Sequence, residues 1–80
     1  MNISQEITNI LVEKLGIAET EVTPDANFVR DLGIDSLDYA ELVMEFEQTF
    51  GIRIPDEDAE HLQTMNQAVA YIESKMKAKA

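Results

Sequence analysis

The chain has 80 residues, with 16 acidic against 6 basic side chains and a formal net charge of −10 at pH 7. A chain of this size buries about 60–65% of its unfolded surface, enough for one modest core, and its charge excludes nucleic acid and anionic membranes as partners and favours basic proteins. It has no cysteine and a single histidine, His61, so disulfides, thiol nucleophiles and histidine-rich metal clusters are excluded; with no apolar run near ~20 residues and no apolar signal core, a cytoplasmic protein without stable membrane insertion is expected.

Asn2 or Ser4 can open a first helix, on which Ile3, Ile7, Ile10, Leu11 and Leu15 recur at helical spacing, and Gly16 is its stop. Residues 17–34 show no helical period. Thr23-Pro24 and Asp25-Ala26-Asn27 favour turns there, while Phe28, Leu32 and Ile34 offer apolar anchors. Connections of this length are usually functional or disordered; the anchors predict an ordered one.

A second helix is predicted over Ser36 to Phe50, with Gly51 as its stop. At about 100° per residue, Tyr39, Leu42, Val43, Phe46 and Phe50 share the core face. Leu37 and Met44 fall nearly opposite, among Asp38, Glu41, Glu45 and Gln48. Two apolar side chains on an acidic outer face suit a docking surface, although lone exposed apolar residues are common.

Ile52, Arg53 and Ile54 precede Pro55 and read as an extended link, since the residue before proline avoids helical geometry. Pro55 opens a short helix, residues 56 to about 61, with Asp56, Glu57 and Asp58 in its first turn. Thr64-Met65-Asn66-Gln67 is a capping box. The last helix buries Ala68, Val69 and Ile72, with Tyr71 and Met76 as further candidates, and places Lys75, Lys77 and Lys79 at its negative end. The expected fold is all-α: a small antiparallel bundle of three longer helices and one short one, with a long first loop.

The stretch Asp31-Leu32-Gly33-Ile34-Asp35-Ser36-Leu37-Asp38 joins the long loop to the strongest helical pattern. Asp35 is a good N-cap, Ser36 falls at the first helical position with its hydroxyl toward water, and Gly33 lets the chain bend just before them. Three chemistries compete for this serine-centred site. Gly33-x-Asp35-Ser36-Leu37 with Asp58-x-x-His61 imitates the serine and D-x-x-H blocks of G-D-S-L hydrolases, yet the chain offers no parallel sheet and no oxyanion block. The acidity suggests calcium, yet no D-x-[DN]-x-[DN]-G-x5-E loop is present and no metal site is expected. A third reading remains.

That third reading follows from a resemblance. Phe28, the Asp31 to Asp38 stretch, Glu41-Leu42-Val43-Met44, Glu47, Phe50-Gly51, Ile54-Pro55-Asp56, Ala59-Glu60, Tyr71-Ile72 and Leu15-Gly16 together resemble an acyl carrier protein of the bacterial type II fatty-acid synthase kind, over nearly the whole chain. The resemblance implies one acyl carrier domain over residues 1–80, non-catalytic, with 4′-phosphopantetheine transferred from coenzyme A onto Ser36 by a carrier-protein synthase (a phosphopantetheinyl transferase). The acyl group then rides as a thioester on the arm's sulfur. Asp35 and Leu37 flank the attachment point. The resemblance further implies that Asp38, Glu41, Met44 and Glu45, with Leu37, dock basic fatty-acid synthesis enzymes, and that a monomer shelters the acyl chain. Phe28, Tyr39, Phe46, Ile54, Ala59, Leu62 and Ala68 are the expected pocket lining. Arg30 and Arg53 stand where the family is often acidic, and Tyr39 is bulkier than expected, which opens the alternative of a specialised pathway with a polyketide, aminoacyl or peptidyl cargo. Ile34-Asp35, in place of the glycine and histidine frequent in peptidyl carriers, favours an acyl cargo.

Overall fold

Apolar side chains repeating every three to four residues can be buried only if each segment turns one stripe inward, and the three longer segments do so. The computed structural model describes residues 2–79. Its helices are α1 (Ile3–Leu15), α2 (Ser36–Phe50), α3 (Asp56–Ala59) and α4 (Met65–Lys79). Among the described residues the only strand-like pairing is an isolated antiparallel bridge between Asn27 and Thr64. The fold is all-α, and α1 packs against both α2 and α4.

Each start and stop has a local cause. The Gln5 N–H donates to the Asn2 side chain at 3.0 Å and so opens α1. Gly16 and Gly51 end α1 and α2 in left-handed backbone. The Thr64 capping box closes in both directions. The Gln67 N–H donates to Thr64 Oγ1 at 3.2 Å, and Gln67 Oε1 accepts from the Thr64 N–H at 3.1 Å.

The stripes meet in a core whose largest fully enclosed members are Phe28, Phe46, Ile7, Leu11, Leu42 and Ile72. Enclosing each such side chain contributes about 1.5–3 kcal/mol. The margins differ from the helical-wheel expectation. Tyr39 and Val43 are half-buried rather than central, as are Ile3 and Leu15 on α1 and Val69, Tyr71 and Met76 on α4. Ala26 and Met65 are buried instead. Their burial follows from the loop lying along the start of α4: the Met65 N–H donates to Ala26 O at 3.1 Å, and the Phe28 N–H donates to Gln63 O at 2.9 Å.

The first connection is thus ordered, as its apolar anchors imply, and it contains a 3-10 turn at Glu19–Glu21. The short helix stops at Ala59, two residues before the expected end. Beyond it the turns tighten, with His61 N–H to Asp58 O at 3.0 Å and Leu62 N–H to Ala59 O at 3.1 Å. None of the α3 side chains is buried, and the tightened turn delivers Leu62 into the core.

Candidate functional site: the start of α2 and its clefts

The loop before α2 is braced internally, and this fixes where α2 begins. Asn27 Oδ1 accepts from the Val29 and Arg30 N–H groups at 3.0 and 2.8 Å, and Asp31 Oδ2 accepts from the Asn27 N–H at 2.8 Å. The Ile34 N–H donates to Phe28 O at 3.0 Å. Gly33 completes the turn at φ 69°, a left-handed conformation costly for residues with a Cβ. Asp35 follows in extended backbone, and its Oδ1 accepts from the Asp38 N–H at 2.8 Å. Ser36 is therefore the first helical residue, exposed as expected. The Ser36 and Leu37 N–H groups belong to the first turn, where the helix supplies no acceptor and its dipole is positive.

Three strips of α2 differ in what they face. Leu42, Phe46 and Phe50 face the core. Leu37 and Met44 are 77% and 54% exposed, and Asp38 and Glu41 are exposed with them. Glu45 departs from this outer strip: it is half-buried and borders a recess beside α1 with Lys14 and Leu15. It lies at the edge of the proposed contact surface, because α1 packs against that flank of α2.

The strip that faces α3 forms a cleft of about 320 Å³. Ser36, Ala40, Val43, Ile54 and Ala59 line it, with Tyr39, Met44, Glu47 and Asp56. Glu47 holds the wall formed by the extended link, since its Oε2 accepts from the Ile54 N–H at 2.8 Å and binds that link to α2. A second cleft of about 440 Å³ opens on the other side of Tyr39. It is lined by Phe28 and Leu62 with Asn27, Val29, Arg30, Glu60 and Gln63. Five of the seven expected pocket residues thus border one cleft or the other. Phe46 and Ala68, at 1% and 0% exposure, line neither and are core filling.

Tyr39 stands between the two clefts and borders both. Its hydroxyl lies in hydrogen-bond contact with Ala59 O and, at 2.6 Å, with Leu62 O, so a single proton is shared between two carbonyls. Burial pushes its phenol above the ordinary range, which keeps it a donor. Behind it lies Phe28, with ring centroids 6.4 Å apart. α3 is tied from the other side too: Tyr71 donates to Asp58 Oδ2 at 2.6 Å, and Lys75 Nζ sits 5.5 Å from the Tyr71 ring centroid. Burial, then the Asp58 carboxylate, push the Tyr71 phenol up to about 12. Asp58 is thereby engaged by Tyr71, and His61 is exposed, which removes the hydrolase-like pairing of those two residues.

The helix start at Ser36, the Asp35 cap and the exposure of Leu37, Asp38, Glu41 and Met44 stand where the spacing predicts them, and Glu45 does not. The spacing carries no sign of the Glu47 clamp or of the Tyr39 acceptors. A carboxylate at the last turn of α2, seven residues before Ile54, is the only trace of the first; the second involves backbone atoms that every sequence has.

An exposed hydroxyl at the positive end of a helix, beside an apolar cleft, suits a phosphate ester bearing an apolar cargo. Residues 5–72 match the family of the phosphopantetheine attachment site. The chain is also 48% identical over 77 residues to an acyl carrier protein of Amoebophilus asiaticus (strain 5a2), covering 96% of each. With both the attachment-site match and the near full-length likeness in place, the chain belongs to the acyl carrier protein family, whose members are carriers that hold 4′-phosphopantetheine.

Proposed function

We propose that residues 1–80 act as one acyl carrier domain that holds acyl intermediates on a 4′-phosphopantetheine arm joined to Ser36 and delivers them to fatty-acid biosynthetic enzymes. The observation behind this reading is the exposed Ser36 hydroxyl at the first position of α2, on the rim of an apolar cleft. The residues fit the group. Asp35 turns Oδ1 to the Asp38 N–H, which leaves the Ser36 and Leu37 N–H groups to face a phosphate.

Attachment forms one bond from Ser36 Oγ to the phosphorus nearest the pantetheine of coenzyme A. The phosphoanhydride breaks, adenosine 3′,5′-bisphosphate leaves, and the hydroxyl proton passes to a base of the carrier-protein synthase. When bound, the arm supplies the thiol on which acyl groups ride as thioesters, a chemistry the cysteine-free chain lacks. The protein contributes no catalytic group of its own. The carboxylates of Asp35 and Asp38 repel a phosphate, so their place here serves recognition by basic enzymes. Leu37 and Met44 supply the apolar contact, with Asp38, Glu41 and the marginal Glu45 steering the encounter. The working form is a cytoplasmic monomer. No helix among the described residues is long and apolar enough to cross a membrane.

The test is intact mass after incubating apo protein with coenzyme A, magnesium and a broad-specificity carrier-protein synthase. Wild type gains one phosphopantetheine and Ser36→Ala gains none. An adduct that survives in Ser36→Ala overturns the assignment.

A further inference from the structure

The cleft beside Ser36 ends at a side chain that is held in place. Tyr39 is one helical turn from Ser36, borders the clefts on both sides, and has its hydroxyl engaged by two carbonyls of the segment that follows α3. A chain that turns from the Ser36 cleft toward the core meets the Tyr39 ring, and behind that ring meets the wholly buried Phe28. Passing Tyr39 requires the ring to swing, and the swing takes the phenol away from both carbonyls. A buried hydroxyl stripped of its acceptors is unfavourable. The space beyond the ring is not solid, since the second cleft lies there.

We propose that Tyr39 is a hydrogen-bonded partition that closes the Ser36 cleft, so that this carrier shelters acyl groups short enough to end at the ring and leaves longer chains outside. This rests on attachment at Ser36 and adds the class of cargo that the cleft accepts. The ring supplies the wall, and the bonds to the Ala59 and Leu62 carbonyls keep it shut. Both are needed, because an unpinned ring at a half-buried position can rotate toward solvent.

The experiment loads holo protein with acetyl, butyryl, hexanoyl, octanoyl, decanoyl and dodecanoyl groups, each load verified by intact mass. Melting temperature is followed against chain length for wild type, Tyr39→Phe and Tyr39→Ala. In wild type the gain in Tm stops rising at a shorter chain than in either variant. Backbone amide shifts give a second reading that needs no variant. In wild type, lengthening the chain moves Val43, Ile54 and Ala59 and leaves Phe28 and Gln63, on the far side of the ring, unchanged. In Tyr39→Ala, or in Tyr39→Phe should the alanine variant fail to fold, Phe28 and Gln63 move with the longer chains.

Wild type and Tyr39→Ala sharing one limiting length, or Phe28 and Gln63 shifting progressively in wild type, overturns the partition. Tyr39→Phe retaining the wild-type limit overturns the role of the hydrogen bonds. Absence of any adduct on Ser36 overturns the attachment itself, an outcome that mass separates from the others.

Discussion

Asp35→Ala and Asp35→Asn together test whether the start of α2 is set by a hydrogen bond or by a charge. Asp35 Oδ1 accepts from the Asp38 N–H at 2.8 Å, and the Asp35 carbonyl accepts from the Tyr39 N–H at the same distance. Alanine keeps the second bond and loses the first. Loss of an N-cap acceptor costs about 1 kcal/mol, and loss of a negative charge at a helix start costs about 0.5 kcal/mol more. Asparagine keeps an acceptor and loses only the charge. For a domain of this size 1 kcal/mol corresponds to roughly 4–8 °C in Tm. Asp35→Ala is therefore expected to melt about 6–12 °C below wild type, and Asp35→Asn about 2–4 °C below. Removing one negative charge from a chain at −10 relieves some self-repulsion and draws both values toward the smaller end.

Thermal melts at neutral pH measure the stability difference, and amide hydrogen exchange at Asp38 locates it. Exchange at Asp38 should quicken in the alanine variant and stay near wild type in the asparagine variant. The same pair bears on function, since a frayed first turn misplaces the Ser36 hydroxyl. The initial rate of phosphopantetheine transfer should fall more in Asp35→Ala than in Asp35→Asn. An asparagine variant that melts as low as the alanine variant would refute the capping argument, because the acceptor alone would then do nothing. Two variants indistinguishable from wild type would show that the loop bracing from Asn27 and Asp31 fixes the helix start unaided.

Two further outcomes are expected. Met44→Ala should leave the fold nearly intact, within about 0.5 kcal/mol as for other exposed positions, since Met44 is 54% exposed; with subsaturating carrier and a condensing enzyme it should speed dissociation, while Glu41→Lys slows association, and wild-type rates in both folded variants would remove the docking strip. The Tyr71 phenol is pushed up to about 12 in the folded protein, so its stabilising effect is complete below the unfolded value near 10 and is lost as pH rises through the folded one; thermal melts across that alkaline window should decline less steeply in Tyr71→Phe than in wild type, and equal slopes would contradict the Tyr71–Asp58 bond.

What the sequence made legible was whatever depends on the angular period of a helix or on a side chain's local hydrogen-bonding habits. Ser36, its Asp35 cap, the Thr64 capping box and the exposure of Leu37 and Met44 all follow from spacing along a few neighbouring residues. What remained hidden depends on contacts between segments far apart in the chain. Phe46 and Ala68 were expected to line a pocket because their faces point inward, and inward-facing residues can be either lining or filling; here neighbouring side chains fill the space around both. Glu45 was placed among the outer residues because a helical wheel ignores the neighbouring helix, and α1 covers that flank. The early end of α3 was equally unreadable, because it depends on where Leu62 enters the core.

The strips of α2 also share one residue, and this bears on how contact at the surface reaches the cargo. Met44 is exposed on the outer strip, and it also lines the cleft that begins at Ser36. It borders the recess beside α1 as well, and a further one by Glu47 and Arg53. A partner that covers Met44 therefore lies over the rim of the Ser36 cleft as it binds. Ser36, the rim and Tyr39 are fixed to one helix of 15 residues, with the core contacts of Leu42, Phe46 and Phe50 holding that helix in place. No rearrangement inside α2 is needed for an enzyme docked on Met44 to reach the mouth of the cleft. The opposite wall is held differently. α3 buries none of its side chains and is held by the hydrogen bonds of Tyr39 and Tyr71, with the link before it held by Glu47. Hydrogen bonds of this kind contribute about 1 kcal/mol each, so α3 is held by directional bonds where α2 is held by enclosed side chains.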